Sequence, residues 1–432
     1  MPDPLRRLAA ALTYPQFRNL WLGACTSSIG TWMQSVAQNW LVFTLTGSAF
    51  YLGLDAFLGQ LPIMLFTLIG GVVADRYDRR RVLLASQYVQ MTSAFTLALL
   101  VYFQVVRPAP APSMSLGAVV SLSNHAPPGQ AVSMTIWFVL ALSFLTGCAQ
   151  AFGGPAHQSL VPSLVDRKDL PNAIALNSVQ FNLARVIGPL LAAAALASYG
   201  SVFCFMVNGL SFLAVIVALL ALTVPARQPL PAQRMLDQFR GGLSHVRHEG
   251  PLFGLTILGF VTTFLAIPLL TLLPVFVQKV FHLGVAEYGR MMAFQGAGAV
   301  VGALIVAWSG RFKGMGAVAL MAQIGLGAVI AAFALSSNPT LSYALLFLAG
   351  TAQLVVFSLA NSLVQLLVPN EMRGRVMSIY MLAFRSGMPL GSLAAGALAN
   401  RFSAPAVLAV DGVLLMVFGA VVLGTYKKIR NI

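Results

Sequence analysis

Twelve stretches of mostly apolar residues run through the 432-residue chain, at roughly 17–43, 48–74, 82–106, 134–152, 172–198, 202–223, 252–278, 287–309, 315–336, 341–366, 375–400 and 405–426. A helix needs about 20 such residues to cross the hydrocarbon core of a bilayer. The chain therefore reads as twelve membrane spans, numbered here in that order. Met114 to Leu122 is apolar too, but too short to cross. With 58% apolar and 9% charged residues, there is too little polar surface to cover a soluble protein, which excludes an ordinary cytosolic enzyme and a disordered chain.

The basic residues orient the spans. With the N-terminus inside, the inner segments hold twenty of them, from Arg6 and Arg7 to Lys427, Lys428 and Arg430, whereas the outer loops hold only Arg107, Lys279 and Arg401. That asymmetry is the positive-inside pattern, and an odd number of spans would destroy it. The net charge of +15 is thus a topology signal, and no basic stripe with interleaved aromatics points to nucleic acid. Cys25, Cys148 and Cys204 lie inside apolar runs without a CxxC pair, so neither a zinc site nor a disulfide framework is expected. The first apolar run reads as span 1 rather than a cleaved signal.

Two loops stand out. Residues 225–250 are polar, basic and punctuated by proline and glycine, and they divide the spans six and six. Within them, 236–246 is expected to form an amphipathic helix on the inner surface. The outer loop 107–133 is long and proline-rich, and is read as extended. An internal repeat supports the division. Residues 173–197 align with 373–397 without a gap, matching Ser178 to Ser378, Arg185 to Arg385 and Pro189 to Pro389. Paired six-helix repeats are an architecture of secondary transporters. The expected domains are an N-terminal bundle (1–224), a cytoplasmic linker (225–250) and a C-terminal bundle (251–432).

Between spans 2 and 3 lies Gly71-Val72-Val73-Ala74-Asp75-Arg76-Tyr77-Asp78-Arg79-Arg80-Arg81. Gly71 offers a small surface for close packing. Asp75 ends span 2 where a carboxylate can meet a helix N-terminus or an arginine. A solvated basic loop is the plainer reading, but it leaves the two aspartates unexplained. The segment resembles the loop 2–3 motif of the major facilitator superfamily, G-x-x-x-D-R-x-x-R-R. The first span with its flank (FRNLWLGACTSSIGTWMQSVAQNWLV) and 154–190 are similar to its branch of bacterial siderophore exporters, of the enterobactin-exporter type, and macrolide-efflux proteins. The resemblance covers nearly the whole chain apart from the outer loop. It implies two pseudo-symmetric six-helix bundles, alternating access and export driven by proton antiport. It also implies a cytoplasmic gate in which Asp75 latches onto the start of span 11 near Arg375, supported by Gly71, Arg76, Arg79 and Arg80. The sequence departs from the superfamily in two places. Gly188-Pro189 is followed by Ala192-Ala193 instead of a glycine pair, and span 4 carries no arginine.

Ionisable residues inside spans are costly and mark functional candidates. Asp55 in span 2 and Asp411 in span 12 are the proton-coupling candidates, because an aspartate can shed its charge and an arginine cannot. A structural ion pair, for instance Asp55 with Arg385, is the alternative. Arg185 and Arg385 sit near mid-depth in spans 5 and 11, as substrate-binding groups or as structural ones. In span 1, Ser27, Thr31, Gln34 and Gln38 recur every three or four residues and so share one helix face. Ser178, Asn182 and Arg185 do the same in span 5. Such stripes must face helices or water. With Gln295 and Asn361 in the second half, they form the expected substrate cavity, or interhelical hydrogen bonds. Uncharged amides beside Trp32, Trp40 and Phe181 suit an amphiphilic organic molecule. His157 is expected to sit in a capped loop after span 4. The GxxxG pairs Gly298/Gly302 and Gly387/Gly391 are expected to be packing contacts, and Pro268 and Pro274 to bend span 7.

There is no GxxxxGK[ST] loop, HExxH helix, GxSxG elbow or metal-spaced His/Cys cluster. The expectation is a non-enzymatic, cofactor-free membrane transporter, acting as a monomer in the bacterial cytoplasmic membrane with both termini cytoplasmic. It exports an amphiphilic organic molecule such as a drug or siderophore in exchange for protons. A lipid or lysolipid flippase of the same fold is the alternative.

Overall fold

A computed structural model describes residues 9–103, 105, 128–222, 235–369 and 371–430. These residues are almost wholly helical and contain no strand. In chain order the spans are Pro15–Thr46, Ala49–Arg76, Arg79–Tyr102, Pro128–Leu160, the two arms of Leu170–Leu220, Gly250–Val280, Val285–Ser309, Met315–Leu335, Pro339–Leu367, Arg373–Arg401 and Ala404–Thr425. Nine of the described helices are long and apolar enough to cross a bilayer. Pro15–Thr46 and Arg373–Arg401 are as long but more polar, and Leu170–Leu220 contains two spans, which brings the number to twelve.

Local chemistry sets the boundaries. Asp78 accepts from the backbone N–H of Arg80 and Arg81, and Asn338 from Thr340 and Leu341, each satisfying donors that the first helical turn leaves open. Prolines 15 and 339 stand at helix starts, where no N–H is missed. Spans 5 and 6 part at Gly200, whose φ of 76° and ψ of −177° lie in a region open essentially to glycine alone. In span 7, interruptions fall at Ile267 and Leu272, beside Pro268 and Pro274, and the last turn, Phe276–Val280, is wound as a π-helix.

The chain forms two compact units: Met1–Ala184 with Gly188–Ala226, and Arg185–Ile187 with Arg227–Ile432. Glycines bring helix backbones together in each. In the first unit, a Cβ at Gly70 would lie 2.2 Å from the carbonyl oxygen of Ala151, joining spans 2 and 4, and Gly188 abuts Ile29 and Trp32 of span 1. In the second, Gly298 meets the backbone of Phe347, joining spans 8 and 10, and Gly387 and Gly391 meet span 7. The pairings 2–4 and 1–5 thus recur as 8–10 and 7–11, the structural form of the sequence repeat. The GxxxG pairs are packing contacts, as expected. Gly71, by contrast, has open space where its Cβ would be, and close packing falls to its neighbour Gly70.

Three further expectations change. The segment 235–248 is helical, but it does not simply lie on a surface: Val246 is buried in the apolar core of the second unit with Leu252, Leu363 and Val376. A Cβ at its Gly242 would lie 2.8 Å from the carbonyl oxygen of Arg375, so this helix docks backbone to backbone on the start of span 11. The outer loop 107–133 lies mostly outside the described residues, and span 4 already begins at Pro128. His157 is half-buried within that helix rather than in a loop, because the helix continues through Pro155 to Leu160.

Candidate functional site

The first unit gathers the polar stripe of span 1 against spans 2, 4 and 6. Asp55 sits about two turns into span 2 and is buried. Gln38 Nε2 donates to its Oδ2 at 2.9 Å and lies 3.1 Å from its Oδ1. Ser143 Oγ of span 4 donates to Oδ1, and Gln38 Nε2 also reaches Ser143 Oγ at 2.8 Å. Within this unit, no salt bridge among the described residues involves Asp55. One turn along span 1, Gln34 Oε1 accepts from Asn208 Nδ2 of span 6 at 2.7 Å. Thr31 turns back to its own helix, donating to the Ser27 carbonyl at 2.8 Å. In span 5, Asn182 likewise donates to the Ser178 carbonyl at 2.8 Å.

Ser143 and Asn208 are hydrogen-bond partners that sequence reasoning missed. Each is one of few polar residues in a long apolar run, too sparse to read as a stripe. A buried carboxylate or amide in an apolar environment requires such a partner, which is the only hint available beforehand.

In the second unit, Arg185 Nη2 donates to Gln295 Oε1 at 2.9 Å, and Gln295 Nε2 donates to Gln353 Oε1 at 2.9 Å across spans 8 and 10. Asp411 is buried in span 12, and its Oδ2 has no hydrogen-bond partner among the described residues. Among the described residues, Asn361 Oδ1 accepts only a long contact from Gln365, at 3.4 Å. Arg385 is exposed, and no hydrogen bond or ion pair engages its guanidinium among the described residues.

The arginines after span 2 bind helix ends. Arg79 donates through Nε to the Ala74 carbonyl (3.1 Å) and through Nη1 to the Ser159 carbonyl (2.9 Å), while Arg80 Nη2 donates to the Leu220 carbonyl at 2.7 Å. These carbonyls belong to the last turns of spans 2, 4 and 6, where acceptors are left over and a cation is favoured. Arg76 is exposed, and the side chain of Asp75 lies outside the described ones. At the same end of this unit, Tyr14 Oη bonds Asp169 at 2.7 Å and Asp166 at 2.8 Å. Hydrogen bonding to Asp169, followed by desolvation and by hydrogen bonding to Asp166, holds this phenol above its ordinary pKa.

Solved transporters share this arrangement of helices. A bacterial homolog of the human lysosomal transporter Spinster, in an inward-facing and unoccupied conformation, superposes with a TM-score of 0.71 at 14% identity, covering 96% of this chain and 98% of its own. A bacterial homologue of the iron transporter ferroportin gives 0.69 at 15% identity, covering 94% and 99%. At these identities the likeness is one of fold, and the fold is the twelve-helix fold of the major facilitator superfamily. Within that superfamily the chain belongs to the transmembrane secretion effector family, whose sequence pattern matches residues 8–132 and 116–431. Relatives include the enterobactin exporter EntS of Citrobacter koseri, 26% identical over 99% of this chain and 96% of its own length. The staphyloferrin A transporter of Staphylococcus aureus is 24% identical over 89% and 90%. The family and its structural neighbours are transporters rather than enzymes, and the chain is a multi-pass membrane protein.

Proposed function

We propose that this chain exports an amphiphilic organic molecule of siderophore type, coupled to proton entry. The halves 1–224 and 251–432 would alternate access, joined by 225–250, and the monomer would sit in the cytoplasmic membrane with both termini inside. Export and substrate type are supported by the siderophore exporters among its relatives. The orientation is supported by the basic residues. Substrate contact is assigned to Thr31, Gln34, Gln38, Asn182, Arg185, Gln295, Asn361 and Arg385, and proton carriage to Asp55, with Asp411 as a second carrier; Gln38 also holds the Asp55 carboxylate. Asp75 with Arg76, Arg79 and Arg80 is assigned to the cytoplasmic gate.

The observation that carries the coupling is the cage around Asp55. A serine hydroxyl has one proton to give. Ser143 Oγ lies within reach of both Asp55 Oδ1 and the Val139 carbonyl, the latter at 3.0 Å. With Asp55 ionised, Ser143 and Gln38 both donate to it. With Asp55 neutral, its own O–H donates to Ser143 Oγ, and the serine proton turns to Val139. Gln38 continues to donate to Oδ2. Both protonation states are satisfied by rotating one hydroxyl, with no heavy atom moved. A carboxylate held only by neutral partners is free to load and release a proton without breaking an ion pair.

Export into everted vesicles under an imposed pH gradient tests this reading. Asp55→Asn is expected to abolish gradient-driven accumulation of a siderophore while the protein remains folded. Unchanged accumulation removes Asp55 from the mechanism. Transport that is indifferent to the gradient in the unaltered protein replaces proton antiport with the flippase reading.

A further inference from the structure

The second unit holds a cavity of about 200 Å³ lined by Phe357, Ser358 and Asn361 of span 10 and Tyr380, Met381 and Phe384 of span 11. Its walls are aromatic. Phe357 and Phe384 meet edge to face with centroids 4.7 Å apart, and Tyr380 stands 6.2 Å from Phe384. Its polar groups are under-used. Among the described residues, Ser358 takes no hydrogen bond, and the Asn361 amide has only the long contact from Gln365. Arg385 directly follows Phe384 and lies one turn beyond Met381. Its guanidinium is exposed on a membrane span and engaged by no acid.

Each feature restricts what can fit. A cavity of about 150 Å³ holds one benzene ring, so this one takes a single substituted ring. Edge-to-face and offset stacking on Phe357 and Phe384 favours a flat π-system over an aliphatic group of similar volume. Unpaired hydroxyl and amide groups inside a span favour a polar substituent on that ring, because otherwise they stay unsatisfied. An arginine that cannot shed its charge requires an anion or water at mid-membrane depth, and its planar fork matches a carboxylate or a pair of adjacent oxygens.

We infer that the cavity between spans 10 and 11 is the recognition site for an aromatic ring bearing an anionic oxygen group, with the ring packed against the Phe357–Phe384 pair and the anion on Arg385. This rests on the reading of the chain as a carrier of organic molecules, and it names the chemical class that the carrier selects.

Three probes separate the parts: benzoate, benzyl alcohol (ring without charge) and cyclohexanecarboxylate (charge without aromatic ring). Binding to the full chain in nanodiscs is measured by saturation-transfer difference NMR. Benzoate is expected to bind about tenfold or more tightly than benzyl alcohol, the worth of one charge-assisted bond, and about two- to tenfold more tightly than cyclohexanecarboxylate, the worth of ring stacking. Arg385→Gln is expected to bring benzoate down to the level of benzyl alcohol, and Arg385→Lys to keep part of the preference. Phe357→Leu is expected to bring benzoate down to the level of cyclohexanecarboxylate. Equal affinity for benzoate and cyclohexanecarboxylate overturns the aromatic part, and Arg385→Gln binding benzoate like the unaltered protein overturns the anionic part. Absence of saturable benzoate binding overturns the site. The vesicle assay with Asp55→Asn leaves these residues unaltered and reads the coupling separately. Gradient-driven export with unselective probe binding therefore refutes the substrate class alone, whereas selective binding without gradient-driven export refutes the coupling alone.

Discussion

Adding one methyl group at Gly298 should open the seam between spans 8 and 10. An ideal Cβ there would sit 1.9 Å from the Phe347 carbonyl oxygen and 2.7 Å from its carbonyl carbon, both backbone atoms that no rotamer change can move. Ordinary contact begins near 3.4 Å, so the two helices must separate locally by about 1.5 Å, and a gap of 0.5–1 Å already forfeits a quarter to a half of each dispersion contact. The same seam carries the Thr351 Oγ1 bond to the Gly298 carbonyl (2.9 Å) and the Gln295–Gln353 bond (2.9 Å), which would stretch with it. Overpacking costs about 1–3 kcal/mol, and weakening two buried bonds costs roughly 1 kcal/mol each. Against this, alanine gains up to about 1 kcal/mol over glycine in helix propensity. Gly298→Ala is therefore expected to lose about 2–4 kcal/mol. Gly325→Ala is the control, since nothing lies within 4 Å of its Cβ position. Thermal unfolding of the purified protein in detergent reads the difference. Gly298→Ala melting together with Gly325→Ala would refute the claim that glycine contact, rather than general apolarity, holds these spans together.

Two other substitutions test separate devices. Gly200→Ala forces a side chain into a glycine-only backbone region and should cost about 1–3 kcal/mol, seen as a lower melting temperature, whereas Gly47→Asn at φ 61° should cost much less. Arg79→Gln removes the cation shared by the ends of spans 2 and 4 and should cost about 1 kcal/mol, with faster hydrogen exchange at Val161 to Leu164; an unchanged exchange rate would leave Arg79 as a topology charge only.

Much of this architecture can be read directly from the chain, because bilayer thickness imposes a single length on every span and the spans differ little in character. Most span ends drift by only a few residues from the expected ones, set by Asp78, by Asn338, by Ser403 (which accepts from the Ala406 N–H) and by the prolines; span 4 is the exception, running from Pro128 to Leu160 where the sequence predicts 134–152. Half of the candidate site is legible for the same reason: the periodicity of Thr31, Gln34 and Gln38 places them on one face. What those residues meet is not legible. Ser143 and Asn208 come from distant spans, and only the fold brings them to Asp55 and Gln34. The Arg79–Arg81 run is instructive in a different way. Its charge count marks the side of the membrane, while Arg79 and Arg80 also close three helix ends, and no count distinguishes these roles.

The docking of residues 235–248 on the start of span 11 bears on how this carrier can be engineered. A reporter domain or a break in the chain belongs ahead of Met235, not midway along the connection. Placed at Gly241 or Gly242, it would pry away a helix whose Val246 completes the hydrophobic interior of the second half, and that half would then lack a piece of itself even when both fragments are supplied.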